Sequence, residues 1–232
     1  MVECLTKRLS DTKNEWIELT HQQKRYLKVK RLLDILISFA MLVLLSPVFL
    51  LVGIAIKLDS HSEKVWFQQM RVGQNNRGFV LIKFRSMKSD APEDVPTRNF
   101  KNSDQYITPL GKLLRRTSID ELPQLWNVLK GDMSLLGPRP LVFNEGDIHS
   151  LRQRYGIYQL KPGIAGLAQI NGRDFLDDYE KVAYDREYLK NLSLGQDFRL
   201  IWQTIRVVLS KKGYQDGDDL NTKNGDKGEY SY

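Results

Sequence analysis

Asp120 and Glu121 are adjacent carboxylates in a segment crowded with arginine, KLLRRTSIDELPQLWNVLKGDMSLLGPRP, residues 112–140. Arg115 and Arg116 precede the pair, and Arg139 follows it inside a Gly-Pro-Arg-Pro turn. An ionised carboxylate can attack phosphorus or hold Mg²⁺, and guanidinium groups match phosphate geometry. Together these are the parts that phosphoryl transfer needs. Lys83, Arg85 and Lys88 of LIKFRSMK could extend a phosphate site, although basic residues at a strand end are usually just solvated. Pro123 is costly deep inside a helix, so the helix carrying the pair is expected to begin near Ser118 to Asp120. Asp120 would then lie at a helix N-terminus, where backbone N–H groups and the dipole favour its ionised form. Aspartate is also a common N-cap without catalytic work, and a lone arginine loop is more often a structural ion pair. Spacing by itself leaves both readings open.

Other chemistries find less support. Cys4 is the one cysteine, which excludes an internal disulfide and fits a reducing, cytoplasmic setting. His21, His61 and His149 lack metal-ligand spacing, and no Gly-rich phosphate loop or dinucleotide fingerprint is present. Asp216-x-Asp218 is superficially like a metal-binding carboxylate pair of nucleotide-sugar glycosyltransferases, but it falls in a polar tail.

The elements that must position the candidates read as follows. The 232 residues allow one domain of ordinary size, and a formal net charge of +7 favours anionic partners without choosing among phosphates, anionic lipid and nucleic acid. Residues 1–30 form a polar and basic N-terminal segment. It is not a signal peptide by pattern, so the apolar run that follows is expected to stay in the mature protein. Within residues 31–57, 22 residues from Ile35 to Ile56 carry no ionisable group. A straight helix of that length covers roughly 33 Å, close to the ~30 Å bilayer core, so a single span is one reading. Ser46-Pro47 interrupts it, and proline removes a hydrogen bond near the Val43 carbonyl. Ser46 can satisfy that carbonyl. Both flanks are basic, and basic flanks prefer the cytoplasmic side. A re-entrant helix that breaks at Ser46-Pro47 and returns is the second reading.

Residues 58–213 read as a cytoplasmic domain, mainly α with a small β-hairpin. VWFQQM (65–70) and GFVLIKF (78–84) are the expected hairpin strands, and 89–108 a loop. A helix is expected from Thr108-Pro109, another over roughly 120–130 closing at Gly131, and a third over 177–191. Residues 131–140 and 161–173 read as Gly/Pro loops. In 196–212, Phe198, Ile201, Trp202, Ile205, Val208 and Leu209 share one helical face with basic residues off it. That pattern suits an interfacial amphipathic helix, and equally a core helix. Residues 214–232 read as a flexible tail.

KRLLDILIS, LLSP, LIKFRSM, RRTSIDELPQLWNVLKGDMSLLGPRPL and KPGIAGLAQINGR carry a resemblance to the bacterial sugar transferases known as monotopic phosphoglycosyl transferases. The likeness runs from about Lys30 to Gly213, and its long stretch is highly specific. The resemblance implies a re-entrant helix in the cytoplasmic leaflet of the bacterial inner membrane, broken at Ser46-Pro47, with the catalytic domain facing the cytoplasm. It implies that Asp120 attacks the sugar-bearing phosphorus of a nucleotide-sugar, usually a uridine one, and expels nucleoside monophosphate. Polyprenyl (undecaprenyl) phosphate then takes the sugar-phosphate from the aspartate, a first membrane step of glycoconjugate assembly. Glu121 is implied as a partner in metal binding or proton handling, Mg²⁺ as the cofactor held by Asp120 and Glu121, and Arg115 and Arg139 as phosphate or nucleotide contacts. Membrane phospholipid is an expected partner and nucleic acid is not; a homodimer is left open. The chain looks like the short form, essentially the catalytic unit. Two other functions compete: a glycosyltransferase that releases nucleoside diphosphate, and a non-enzymatic membrane-anchored protein that binds anions.

Overall fold

The computed structural model describes residues 16–59, 64–92, 103–172 and 176–210. They form a mostly helical body with a small antiparallel hairpin, as the hydrophobic patterning indicates. The tail over 214–232, Leu209's side chain, Lys211 and Lys212, and residues 1–15 of the N-terminal segment lie outside the described residues.

Helix α1 spans His21–Leu44 and is already helical well before the apolar run begins. Thr20 opens it with a capping box, its side chain accepting from Gln23 N while Gln23 answers at the Thr20 N–H. Helix α2 spans Ser46–Asp59. The two meet at Leu45 with a bend of 59°. Pro47 cannot donate to the ladder, and the Ser46 hydroxyl donates to the Val43 carbonyl at 2.8 Å, as the Ser-Pro pair predicts. No single described helix is long and apolar enough to cross a membrane; α1 and α2 pass that test only as a bent pair.

Both halves of this pair dock on the same body. On α1, Lys30 makes a buried ion pair with Asp197 at 2.6 Å, and Asp34 accepts from Leu135 N at 3.1 Å. Arg31 donates to the Val128 and Leu129 carbonyls at the end of helix α4 (Gln124–Lys130). On α2, Phe49, Val52 and Ile56 pack against Phe84 and Leu114. Phe84 is the end of the hairpin formed by β1 (Trp66–Val72) and β2 (Gly78–Phe84), and its ring lies 5.3 Å from Phe49 and 4.9 Å from Trp66. The hairpin register pairs Phe67 with Lys83 and Arg71 with Phe79, so Arg71 and Lys83 share a face with the buried Phe79 and Leu81.

Helix α3 (Pro109–Thr117) starts as expected, with Thr108 accepting from Gly111 N and proline in the first turn. Two expected loops prove partly regular. Residues Ser134–Leu136 form β3 and Gly163–Ala165 form β4, and the two pair in parallel. Their runs are too short for a periodic signal, and the glycines and prolines around them read as turn. Helix α5 is Ile148–Arg154 and α6 is Leu167–Ile170, the latter also within the expected loop. Helix α7 (Asp178–Lys190) is capped by Asp177 and Glu180. The main core gathers Ile148, Tyr155, Ile157, Val182, Tyr188 and Leu200 around β3.

Helix α8 (Leu194–Ser210) touches this core through Leu200. Its Phe198, Ile201, Trp202, Ile205 and Val208 are exposed, so the apolar face has no partner among the described residues. Asp197, in its first turn, accepts from Lys30, Tyr26 and Tyr188. Removing a carboxylate so engaged leaves a buried ammonium without a counter-charge. Asp197→Ala is expected to destabilise the fold by about 3–5 kcal/mol, read as a lowered midpoint in chemical denaturation of the purified protein.

Candidate active site

Ser118 ends α3 in the left-handed region, φ 57° and ψ 19°, a conformation that costs a non-glycine residue about 1–2 kcal/mol. The chain turns sharply there into a 3-10 turn, Ile119–Glu121. Helix α4 begins only at Gln124, after Pro123. Asp120 is therefore not at the N-terminus of an α-helix, contrary to the expectation from Pro123. The proline does stay out of the helix interior, and the interval it leaves is a tight turn that points Asp120 inward. Asp120 is only 8% exposed.

This burial reverses the expected electrostatics. Desolvation raises the Asp120 pKa above the usual carboxylate range, with the Glu121 charge adding to it. Lys83, Arg115 and Arg139 pull the other way without overcoming it. Burial likewise lowers Lys83, against the pull of Glu121. Lys83 Nζ donates to Glu121 Oε1 at 3.0 Å, and Arg139 Nη1 reaches the same oxygen at 3.5 Å. Arg115 Nε donates to Ser86 Oγ at 2.9 Å, which fixes its helix against the end of the hairpin. Arg85 is held at that end too, donating to the Lys64 carbonyl at 3.1 Å and lying 5.9 Å over the Phe67 ring. Lys88 joins through its backbone to Tyr106.

Residues that the sequence did not single out complete the arrangement. Arg71 Nη1 donates to the Pro140 carbonyl at 3.3 Å, and Val72 N to the Leu141 carbonyl at 2.9 Å, tying the hairpin to the Gly-Pro-Arg-Pro turn. Burial, then repulsion from Arg139, lowers the Arg71 pKa to about 10. Arg152 donates to the Arg139 carbonyl at 2.8 Å and forms a buried ion pair with Asp185 at 2.7 Å. His149 Nε2 lies 2.8 Å from the Val142 carbonyl; a carbonyl only accepts, so that nitrogen carries the proton and Nδ1 accepts from the Tyr158 hydroxyl at 2.6 Å. No local sequence signal marks Arg152 and Asp185, which lie in helices of mixed polar and apolar residues.

Beneath the turn, two glycine-rich segments meet backbone to backbone. Gly137 N donates to the Ala165 carbonyl and Gly163 N to the Pro138 carbonyl, both at 2.9 Å. A Cβ on Gly137 would lie 2.5 Å from the Lys161 oxygen, and one on Gly163 2.1 Å from Gly137 N. Close approach demands glycine at both positions.

The donor set suits a magnesium ion taken up with a diphosphate. Two adjacent carboxylates are present, and burial raises the pKa of Asp120, so an added cation would favour its ionised form. Mg²⁺ is commonly held by one or two carboxylates plus substrate phosphates. Among the described residues no larger carboxylate or histidine cluster could hold a metal without substrate oxygens.

Relatives carry the same stretch of chain. A family model described as bacterial sugar transferase matches residues 25–211. The chain is 40% identical over 193 residues to the UDP-glucose:undecaprenyl-phosphate glucose-1-phosphate transferase of Klebsiella pneumoniae, covering 80% of this chain and 41% of that protein. It is 36% identical over 222 residues to the UDP-N-acetylgalactosamine-undecaprenyl-phosphate N-acetylgalactosaminephosphotransferase of Aeromonas hydrophila, covering 89% of this chain and 52% of that protein. It is 34% identical over 199 residues to the exopolysaccharide production protein ExoY of Rhizobium meliloti (strain 1021), covering 79% and 87%. The chain thus spans about half or less of the two longer relatives and most of the third. The matched region runs from the first turns of α1 to the end of α8 and takes in the dyad, the arginine turn and the paired glycine loops, so the chain belongs to the bacterial sugar transferase family.

Proposed function

We propose that the chain transfers a sugar-1-phosphate from a nucleotide-sugar, of the UDP type, to polyprenyl (undecaprenyl) phosphate. The observation that carries this reading is the buried Asp120 carboxyl among Lys83, Arg115 and Arg139. The activities for which the Klebsiella and Aeromonas relatives are named support it.

Asp120 attacks the sugar-bearing phosphorus in its ionised form. The bond to the leaving phosphate breaks, nucleoside monophosphate departs with the electron pair, and a sugar-phospho-aspartate remains. An oxygen of polyprenyl phosphate then attacks the same phosphorus, and Asp120 leaves as carboxylate. Lys83 and Arg139 are placed to hold phosphate oxygens, with Glu121 keeping Lys83 oriented. Arg115 adds positive charge from its anchored helix. Bound Mg²⁺ would supply charge neutralisation of the diphosphate, held by Asp120 and Glu121.

The same anchors support a placement at the membrane surface. A polyprenyl phosphate stays in the bilayer and a nucleotide-sugar stays in water, so the reaction belongs at their boundary. Lys30, Arg31 and Asp34 before the bend, and Phe49, Val52 and Ile56 after it, all contact one body. A straight span would carry these two groups to opposite sides. The exposed face of α8, with Trp202 57% exposed and Phe198 68% exposed, suits the headgroup boundary. On this reading the apolar pair enters the inner membrane from the cytoplasmic side and returns to it.

Purified protein incubated with UDP-sugars and polyprenyl phosphate is expected to release nucleoside monophosphate; release of nucleoside diphosphate would instead identify a glycosyltransferase. Asp120→Asn should lower turnover by at least about a thousandfold and eliminate the sugar-phosphate adduct on its peptide by mass spectrometry. Near-normal transfer by that variant would remove Asp120 as nucleophile.

The same substitution has a second expected effect. Because burial raises the Asp120 pKa, the fold favours its protonated form and loses stability as pH rises through that raised value. Metal-free Asp120→Asn should therefore melt above the parent protein at neutral pH. The gap should narrow as pH falls and close below about pH 3, where the carboxyl is protonated in the unfolded state as well. Equal melting at both pH values would contradict the burial account.

Single cysteines at Lys28 and Lys64, in a background with Cys4 replaced by serine, should both react with an impermeant label in inside-out vesicles and neither in right-side-out ones. Labelling from opposite sides would mean a true span.

A further inference from the structure

A second pair of cations meets at Gly131, apart from the charges that act on the dyad. Gly131 caps α4 in the left-handed conformation, φ 99°. A Cβ there would lie 3.3 Å from Arg31 Nη2 and 3.4 Å from Lys161 Nζ, so both cationic nitrogens flank one small space. Arg31 is held in place by the Val128 and Leu129 carbonyls. Lys161 has no hydrogen-bond or ion-pair partner for its ammonium among the described residues. The neighbouring acids are engaged elsewhere. Asp34 Oδ1 accepts from Leu135 N at 3.1 Å, and Asp132 Oδ2 takes Asn127 at 3.3 Å and Lys130 at 3.5 Å. Burial lowers the Lys161 pKa and Arg31 lowers it further, although Asp34 and Asp132 oppose them. Neither Arg31 nor Lys161 is among the charges that shift Asp120 or Lys83.

Two adjacent cations, neither in an ion pair with a carboxylate among the described residues, fit a phosphate oxyanion. Arg31 immediately precedes Leu32, where the apolar run begins, and so lies at headgroup level on the proposed membrane placement, on which this inference rests. We propose that Arg31 and Lys161, around Gly131, bind the phosphate of a membrane lipid at the point where α1 enters the bilayer. The ligand class is a phosphate mono- or diester carried on a lipid chain, and the site is separate from the dyad.

The test uses the full chain in phosphatidylcholine nanodiscs doped with either polyprenyl phosphate or phosphatidylglycerol, with retained lipid read by native mass spectrometry. The parent protein should retain a phosphate lipid. Lys161→Gln and Lys161→Met should each retain it at least about fivefold less, and Lys161→Arg should restore it. Retention of polyprenyl phosphate alone would make this an acceptor site; retention of phosphatidylglycerol would make it an anionic-phospholipid site. Either supports the proposal. Equal retention by a neutral variant with unchanged melting temperature overturns it. So does binding of inorganic phosphate with no lipid retained. A parent protein that enters nanodiscs without holding phosphate lipid defeats this site alone, whereas one that stays out of them defeats the membrane placement as well.

Discussion

Water is kept from a carboxyl group that three cations surround, and the rest of the chain is arranged around that tension. Burial pushes Asp120 toward its protonated form, while Lys83, Arg115 and Arg139 pull it back. The three come from different places: β2, α3 and the turn after β3. Each is held by contacts of its own. Arg115 rests on Ser86, Lys83 on Glu121, and the backbone of Arg139 on the buried Arg152–Asp185 pair. The strained Ser118 that aims Asp120 inward belongs to the same account, since local strain persists where surrounding structure over-determines it. The fold gives up some stability at one residue and keeps it where the reaction would occur.

How much of this was legible beforehand depends on the kind of signal. Features written in local chemistry came through: the Thr108-Pro109 start of α3, the Gly131 cap, the Asp177 helix and the hairpin strands. The Ser46-Pro47 break also read correctly, down to the hydroxyl that satisfies Val43. Features that depend on distant partners did not. Pro123 excludes itself from a helix interior, but nothing local says whether the preceding residues form an α-turn or a 3-10 turn. Burial of Asp120 is set by packing against the hairpin and α4. The β3–β4 pairing joins segments far apart in sequence, each too short to show alternation. Arg152 and Asp185 are ordinary charged residues until the fold puts them together.

Asp120, Glu121 and the arginine turn are candidates by residue type alone, and their proximity is a property of the structure. Lys83 and Arg139 lie far apart in sequence yet share one oxygen of Glu121. Nothing in the local sequence distinguishes Arg71 from the other basic residues after the apolar run. In the structure it lies beside Arg139 and braces Pro140. On the proposed reading this convergence of positive charge explains why a doubly charged phosphate donor would be drawn in.

The joint between Gly137 and Gly163 is made with no side chains at all. Such a joint has no intermediate sizes to explore: the smallest added carbon collides with main-chain atoms of the facing segment. Sequence drift is therefore blocked there in a way it is not blocked in a packed hydrophobic core, where one aliphatic can replace another. On the proposed function, a lineage adapting to a new sugar would have to leave this joint alone and change residues around it. The Gly-Pro-Arg-Pro turn would then, on the same reading, stay rigid while recognition of the sugar diversifies around it.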